Sequence, residues 1–123
     1  MDAKDLAAIR AENRAIRDRF LADVPTVPLS RDMETWVKAG AIFAVTGKEV
    51  KLVPAFQLDT EGKPRPIIRT LLQILPPNLS QWQRAFWFAS SNSWLGGQAP
   101  YSMLDHPIQV TDAARMEVQG TIG

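Results

Sequence analysis

Nine prolines are spread through this chain of 123 residues and limit where long helices can form, because proline has no amide N–H and its ring clashes with the preceding helical turn. Residues 3–22 are rich in alanine and contain neither proline nor glycine, so they predict one long N-terminal helix. The Val24-Pro25 and Val27-Pro28 pairs end this helix and predict a stiff linker over residues 24–28. The remaining prolines divide the rest of the chain into shorter segments.

The N-terminal helix carries a stripe of residues at intervals of three, four, three and four: Leu6, Ile9, Asn13, Ile16 and Phe20. This is the spacing of the a and d positions of a short coiled coil, with Asn13 at a core position. It predicts that the chain forms a homodimer through these residues. The alternative is that the stripe packs on the rest of its own chain, because two heptads make a marginal coiled coil in water.

The next part of the chain has the pattern of a helix followed by a β-hairpin. Ser30 can cap a helix over 31–39, and two strand-like segments, 41–45 and 49–53, flank a turn. A helix followed by a two-stranded wing is typical of winged-helix or excisionase-like DNA-binding units. On that interpretation the DNA-facing cations are Arg31, Lys38, Lys48 and Lys51. The alternative is a small α+β cap on the C-terminal helices.

The C-terminal part of the chain has the pattern of short helices. An apolar helix is predicted over 67–75, and Ser80 and Gln83 have the spacing of a capping box for a second, aromatic-rich helix. Asp105 can cap a last helix over about 107–119. The predicted fold is therefore mostly α with a small β-hairpin. Its three parts are an N-terminal helix over residues 1–23, a helix-plus-hairpin unit over 29–57 and a helical bundle over 58–123.

The composition excludes several kinds of chemistry. The chain has no cysteine and a single histidine, His106, which excludes disulfides, thiolate zinc sites, a cysteine nucleophile and any metal motif with two histidines. Asp105 is a plausible neighbour for His106, but no nucleophile completes a catalytic set. We therefore expect no enzymatic activity, no cofactor and no metal.

Charge and hydropathy limit the partners. The net charge of +1, from 14 basic and 13 acidic side chains, lacks the strong basic bias of proteins that bind nucleic-acid phosphates broadly. Operator DNA could then be bound only through a small local patch. No apolar run approaches the roughly 20 residues that span a bilayer, and Met1-Asp2 starts a charged helix rather than a signal peptide. We expect a cytoplasmic protein without membrane association.

The segment from Trp87 to Asp105, WFASSNSWLGGQAPYSMLD, carries the most informative pattern. An aromatic-rich helix, an Asn before a bulky residue, Leu-Gly-Gly, then Pro and a Met-Leu pair follow one another in this order. This segment resembles the core signature of the Xre/MbcA/ParS toxin-binding domain of antitoxins. The upstream FQLD and GKPRP segments resemble the leader of one branch of that family, so that the resemblance covers about residues 54–119.

The resemblance implies an antitoxin that binds and neutralises a RES or related ADP-ribosyltransferase-like toxin, which uses NAD. It also implies dimerisation and repression of the antitoxin's own operon. With the surplus of aromatic rings and the free face of the last helix, it makes the following residues the expected toxin contacts: Trp87, Trp94, Arg115 and Glu117. The alternative function is a small winged-helix DNA-binding regulator without a toxin partner.

Overall fold

The computed structural model describes the backbone of residues 3–122 and the side chains of residues 13–119. Within that range the fold is mostly helical with a small antiparallel sheet, as the sequence predicts. The elements are α1 (Ala3–Asp23), β1 (Thr26–Pro28), α2 (Arg31–Lys38), β2 (Val45–Thr46), β3 (Lys51–Pro54), α3 (Pro66–Ile74), α4 (Gln81–Ala89) and α5 (Pro107–Ile122). Three single 3₁₀ turns lie at Ala55–Gln57, Ser93–Leu95 and Pro100–Met103.

The prediction of a stiff linker over residues 24–28 is wrong. This segment contributes β1, an edge strand of a three-stranded sheet with the order β1-β3-β2. Val27 pairs with Val53, and the Pro25 carbonyl accepts a hydrogen bond from the Ala55 N–H at 2.9 Å. Proline is tolerated here because an edge strand forms backbone hydrogen bonds with a neighbouring strand on one side only. The expected two-stranded wing is therefore a three-stranded sheet.

The segment 41–45 is buried but joins the sheet only at its end. Its side chains alternate, so that Ile42 and Ala44 face one apolar cluster while Phe43 and Val45 face another. The fully buried Gln57 replaces a strand partner for Phe43: its Oε1 accepts from the Phe43 N–H and its Nε2 donates to the Phe43 carbonyl, both at 2.8 Å. One side chain thus satisfies the buried backbone that the strand ladder leaves unpaired.

Two apolar clusters lie on the two sides of this segment. The smaller cluster contains Ile42, Ala44 and Val53, covered by partly buried side chains of α2 such as Trp36. The larger cluster contains residues from all three predicted parts of the chain. Its members are Phe20, Val24, Phe43, Val45, Ile68, Leu71, Leu75, Trp82, Ala85, Phe88, Leu95, Leu104, Val110, Ala113 and Ala114.

Local signals explain most of the helix ends. Ser80 caps α4 in the predicted capping box: its Oγ accepts from the Gln83 N–H at 3.1 Å, and Gln83 Oε1 accepts from the Ser80 N–H at 2.7 Å. The start of α5 differs from the expectation. The helix begins at Pro107, so that His106 rather than Asp105 immediately precedes it. Asp105 instead forms an ion pair with Arg65, at 2.8 Å.

Candidate functional site

The loop between α4 and α5 is closed on itself by hydrogen bonds. The Asn92 side chain accepts from the Trp94 N–H at 2.9 Å, and the Asn92 carbonyl accepts from the Leu95 and Gly97 N–H groups at 3.0 and 2.9 Å. Gly96 and Gly97 have φ values of +66° and +89°, which side chains rarely adopt. The tight turn places neighbouring side chains in opposite environments, since Leu95 is buried in the larger cluster while Trp94 is 59% exposed.

A cavity of about 350 Å³ lies between the end of α4, this loop and α5. Trp87 and Glu117, two of the expected toxin contacts, both line it, together with Leu79, Gln83, Phe86, Ser90, Ser91 and Asn92. The Trp87 ring is half-buried and meets Phe88 edge-on, with ring centroids 5.0 Å apart. Its indole Nε1 is buried and finds no acceptor among the described residues. A buried donor without a partner is rare and costly.

Arg115 lies in a different groove from Glu117. Residues two positions apart in a helix lie about 200° apart around its axis, so the structure places Arg115 and Glu117 on different sides of α5. Arg115 Nη1 forms an exposed ion pair with Asp112 Oδ1 at 3.2 Å. Both line a shallow groove with Pro107, Ile108 and Thr111. Ile108 is 75% exposed, and sequence reasoning missed it, although it lies off the inward stripe that begins at Val110.

The four cations expected to face DNA are all exposed. Arg31 and Lys38 stand at opposite ends of α2, about 10 Å apart along its axis. Lys48 lies in the turn between β2 and β3, and Lys51 is at the start of β3. Lys48 lines a groove of about 630 Å³ with the side chains of α1, among them Arg14, Arg17 and Asp18.

Arg14 and Arg17 were not expected at this groove. No sequence signal places them beside Lys48, because the contact joins elements about 30 residues apart in the chain. The Arg17 guanidinium lies 5.4 Å from the centre of the Trp82 ring, which holds it at the groove by a cation–π contact. The Trp82 Nε1 donates to the Thr46 carbonyl at 3.3 Å and fixes that ring against β2.

The residues expected to form the dimer have different environments. Phe20 is 5% exposed and packs edge-on against Trp82 and Phe86 of its own chain. Ile16 is 44% exposed, and Asn13 is also exposed. The side chains of Leu6 and Ile9 lie outside the described residues. The interpretation that the stripe packs on its own chain therefore holds for Phe20, whereas Ile16 and Asn13 are more exposed and line open grooves between α1 and the rest of the chain.

Comparisons of this chain with protein-family models, with curated proteins and with solved structures found no match. No helix within residues 3–122 has the length and apolarity that crossing a membrane requires. Among the described side chains, no three His, Asp or Glu residues come together as metal ligands would. The features that suggest binding in the described structure are therefore the Trp87 cavity, the exposed Trp94 and Ile108, and the cationic groove.

Proposed function

We propose that this chain is an antitoxin-type protein, which binds and neutralises a RES or related ADP-ribosyltransferase-like toxin in the cytoplasm and acts as a homodimer without catalytic activity of its own. The proposal combines the resemblance of the segment from Trp87 to Asp105 with the surface on which that segment lies. Toxin binding would use the face formed by α4, the closed loop and α5.

The observation that carries the proposal is the unpaired indole N–H of Trp87 beside a cavity. Leaving a buried donor without an acceptor costs about 1–3 kcal/mol, and a carbonyl or carboxylate of a partner could remove this cost after a small movement of the ring. Tryptophans are enriched among the interface residues that carry much of the binding energy, and their indole N–H usually finds a hydrogen-bond partner when it is buried. We therefore assign Trp87 to the centre of the interface.

Further features of the closed loop and of α5 support a protein partner; Trp94 lies in the loop beside the Trp87 cavity, whereas Ile108 and Arg115 lie in the separate groove on α5. Trp94 and Ile108 are large apolar side chains that expose 59% and 75% of their surface. The closed loop holds Trp94 in place before binding, which lowers the entropy that association must overcome. Arg115 forms an exposed ion pair with Asp112, a contact that the guanidinium could exchange for a carboxylate or a phosphate of the toxin.

The test is calorimetry with a RES-type toxin encoded beside this chain's gene, together with an assay of NAD consumption by that toxin. Trp94→Ala is expected to weaken binding at least tenfold, as truncation of a large exposed aromatic in an interface can, and Trp87→Phe is expected to weaken it by removing one donor. Lys38→Ala, on α2, is the control. The proposal fails if wild-type protein neither binds the toxin nor slows NAD consumption, or if both tryptophan variants bind as wild type does.

A second candidate function, a DNA-binding regulator, is favoured by the groove that contains Arg14, Arg17 and Lys48. Operator binding would be local, and we expect a shallow salt dependence from about three phosphate contacts per chain. Fluorescence anisotropy with DNA of the upstream region tests this candidate. Arg14→Ala with Lys48→Ala should abolish binding, while Arg31→Ala with Lys38→Ala should not. The reverse result would favour the helix-plus-wing interpretation.

A further inference from the structure

The groove between α1 and the turn that joins β2 to β3 collects positive charge. Arg14 and Arg17 of α1 line one side of it, and Lys48 of the turn lines the other. Among the described side chains of this lining, Asp18 is the only acidic one. Neither Arg14 nor Lys48 takes part in an ion pair between described residues. The groove therefore favours a ligand of negative charge.

The apolar part of the groove is fixed before any ligand binds. It comes from Leu21 and Trp82. The Trp82 ring is held from three directions: its Nε1 donates to the Thr46 carbonyl at 3.3 Å, Phe20 meets it edge-on with ring centroids 5.6 Å apart, and the Arg17 guanidinium lies 5.4 Å from its centre. A fixed surface loses little entropy on binding, so this part of the groove is suited to receive an apolar side chain.

The polar groups of the lining distinguish a peptide from a nucleic acid. A phosphate backbone offers negative charge and hydrogen-bond acceptors, so the Asp18 carboxylate would repel it from the groove that the cations make attractive. A peptide backbone brings N–H donors, which the carboxylate of Asp18 and the side-chain oxygen of Asn13 can accept. Its acidic side chains pair with the cations, and an apolar side chain contacts Leu21 and Trp82.

We propose that this groove binds an acidic peptide segment of a protein partner, in which carboxylates flank one apolar side chain. Arg14 and Lys48 bind the carboxylates from opposite walls, and Arg17 lies between them and the Trp82 ring. The groove shares no described lining residue with the Trp87 cavity, so it is an interaction surface additional to the toxin-binding face. The DNA-binding candidate would use the same cations, and the experiment below separates the two ligands.

The test is NMR spectroscopy of the isotopically labelled full chain with the peptide Glu-Glu-Leu-Glu-Glu at up to about 1 mM, the range of weak complexes. The indole N–H of Trp82 is the reporter, because its hydrogen bond to Thr46 lies at the groove. We expect the signals of Trp82 and of the Lys48 amide to shift, while the indole signal of Trp87 does not. Glu-Glu-Ser-Glu-Glu should bind about fivefold more weakly, since it loses the apolar contact.

Charge reversal supplies the matched variants. Arg14→Glu with Lys48→Glu should weaken binding of the acidic peptide at least tenfold and allow binding of Lys-Lys-Leu-Lys-Lys instead. Arg31→Glu with Lys38→Glu changes the net charge by the same amount outside the groove, so it should bind the acidic peptide as wild type does. Both variants alter exposed side chains, and their own spectra show whether they are folded.

Three results would overturn the proposal. They are no shift of the groove signals in the wild type, equal weakening in the two double variants, or a DNA duplex that shifts the same signals at a lower concentration than the peptide at equal ionic strength. The last result would assign the groove to nucleic acid. Because no toxin is present, these outcomes are independent of the proposed toxin binding.

Discussion

The two terminal helices of this protein, α1 and α5, are both continuous, but the side chains of α5 that face the core are buried, whereas those of α1 from Asn13 to Arg19 are exposed. Along α5, Val110, Ala113 and Ala114 are almost completely buried against the larger apolar cluster, whereas seven consecutive side chains of α1 from Asn13 to Arg19 are exposed. The apolar residues of α1 are larger and more regularly spaced. Regular apolar spacing thus shows that a helix face needs cover, but it does not show which molecule provides the cover.

The largest expected difference between the two helices comes from placing the same charge on each apolar face. Val110→Asp should lower the free energy of unfolding by more than about 4 kcal/mol, because it buries an unpaired carboxylate. Ile16→Asp should change the stability of the monomer by less than about 0.5 kcal/mol and reduce dimerisation. Urea unfolding at one low protein concentration and light scattering measure the two effects. Similar losses of stability in both variants would show that α1 belongs to the monomer core after all.

A smaller effect is expected in the loop that leads to α5. Gly97→Ala should cost about 1–2 kcal/mol, because φ is +89° there and a Cβ is strained in that conformation. Ala15→Gly, in the exposed part of α1, lowers helix propensity by a similar amount. It should leave the main unfolding transition unchanged, since no buried side chain depends on it. Chemical denaturation distinguishes the two variants, and a shift of the main transition by Ala15→Gly would contradict the comparison.

The smallest effect on stability is expected at the surface of α5. Arg115→Ala removes an ion pair with Asp112 in which both side chains are more than half exposed, and such pairs contribute at most about 1 kcal/mol. We expect a change within about 0.5 kcal/mol in thermal unfolding, together with weaker toxin binding. A large loss of stability would mean that this end of α5 stabilises the monomer rather than binding a partner.

Several features of the fold could be predicted because their signals act over a few residues. The capping box of Ser80 and Gln83, the continuous helix of α1 and the glycine turn after Leu95 are all local. The tertiary structure brings together only some of the residues that the sequence predicts as toxin contacts. Trp87 and Glu117 share one cavity, while Arg115 lies in another groove because neighbouring positions on α5 point in different directions.

The sequence by itself determined where most of the helices begin and end, since caps, prolines and glycines act on the backbone next to them. Only the tertiary structure decided that Thr26–Pro28 is a strand, because Val27 pairs with Val53, which lies 26 residues further along the chain. It likewise decided that the Gln57 side chain hydrogen-bonds to the backbone of Phe43, and that Phe20 is buried while Ile16 is 44% exposed. Pairing and burial depend on residues that are distant in the chain, and apolar spacing along one helix contains no information about what lies across from it.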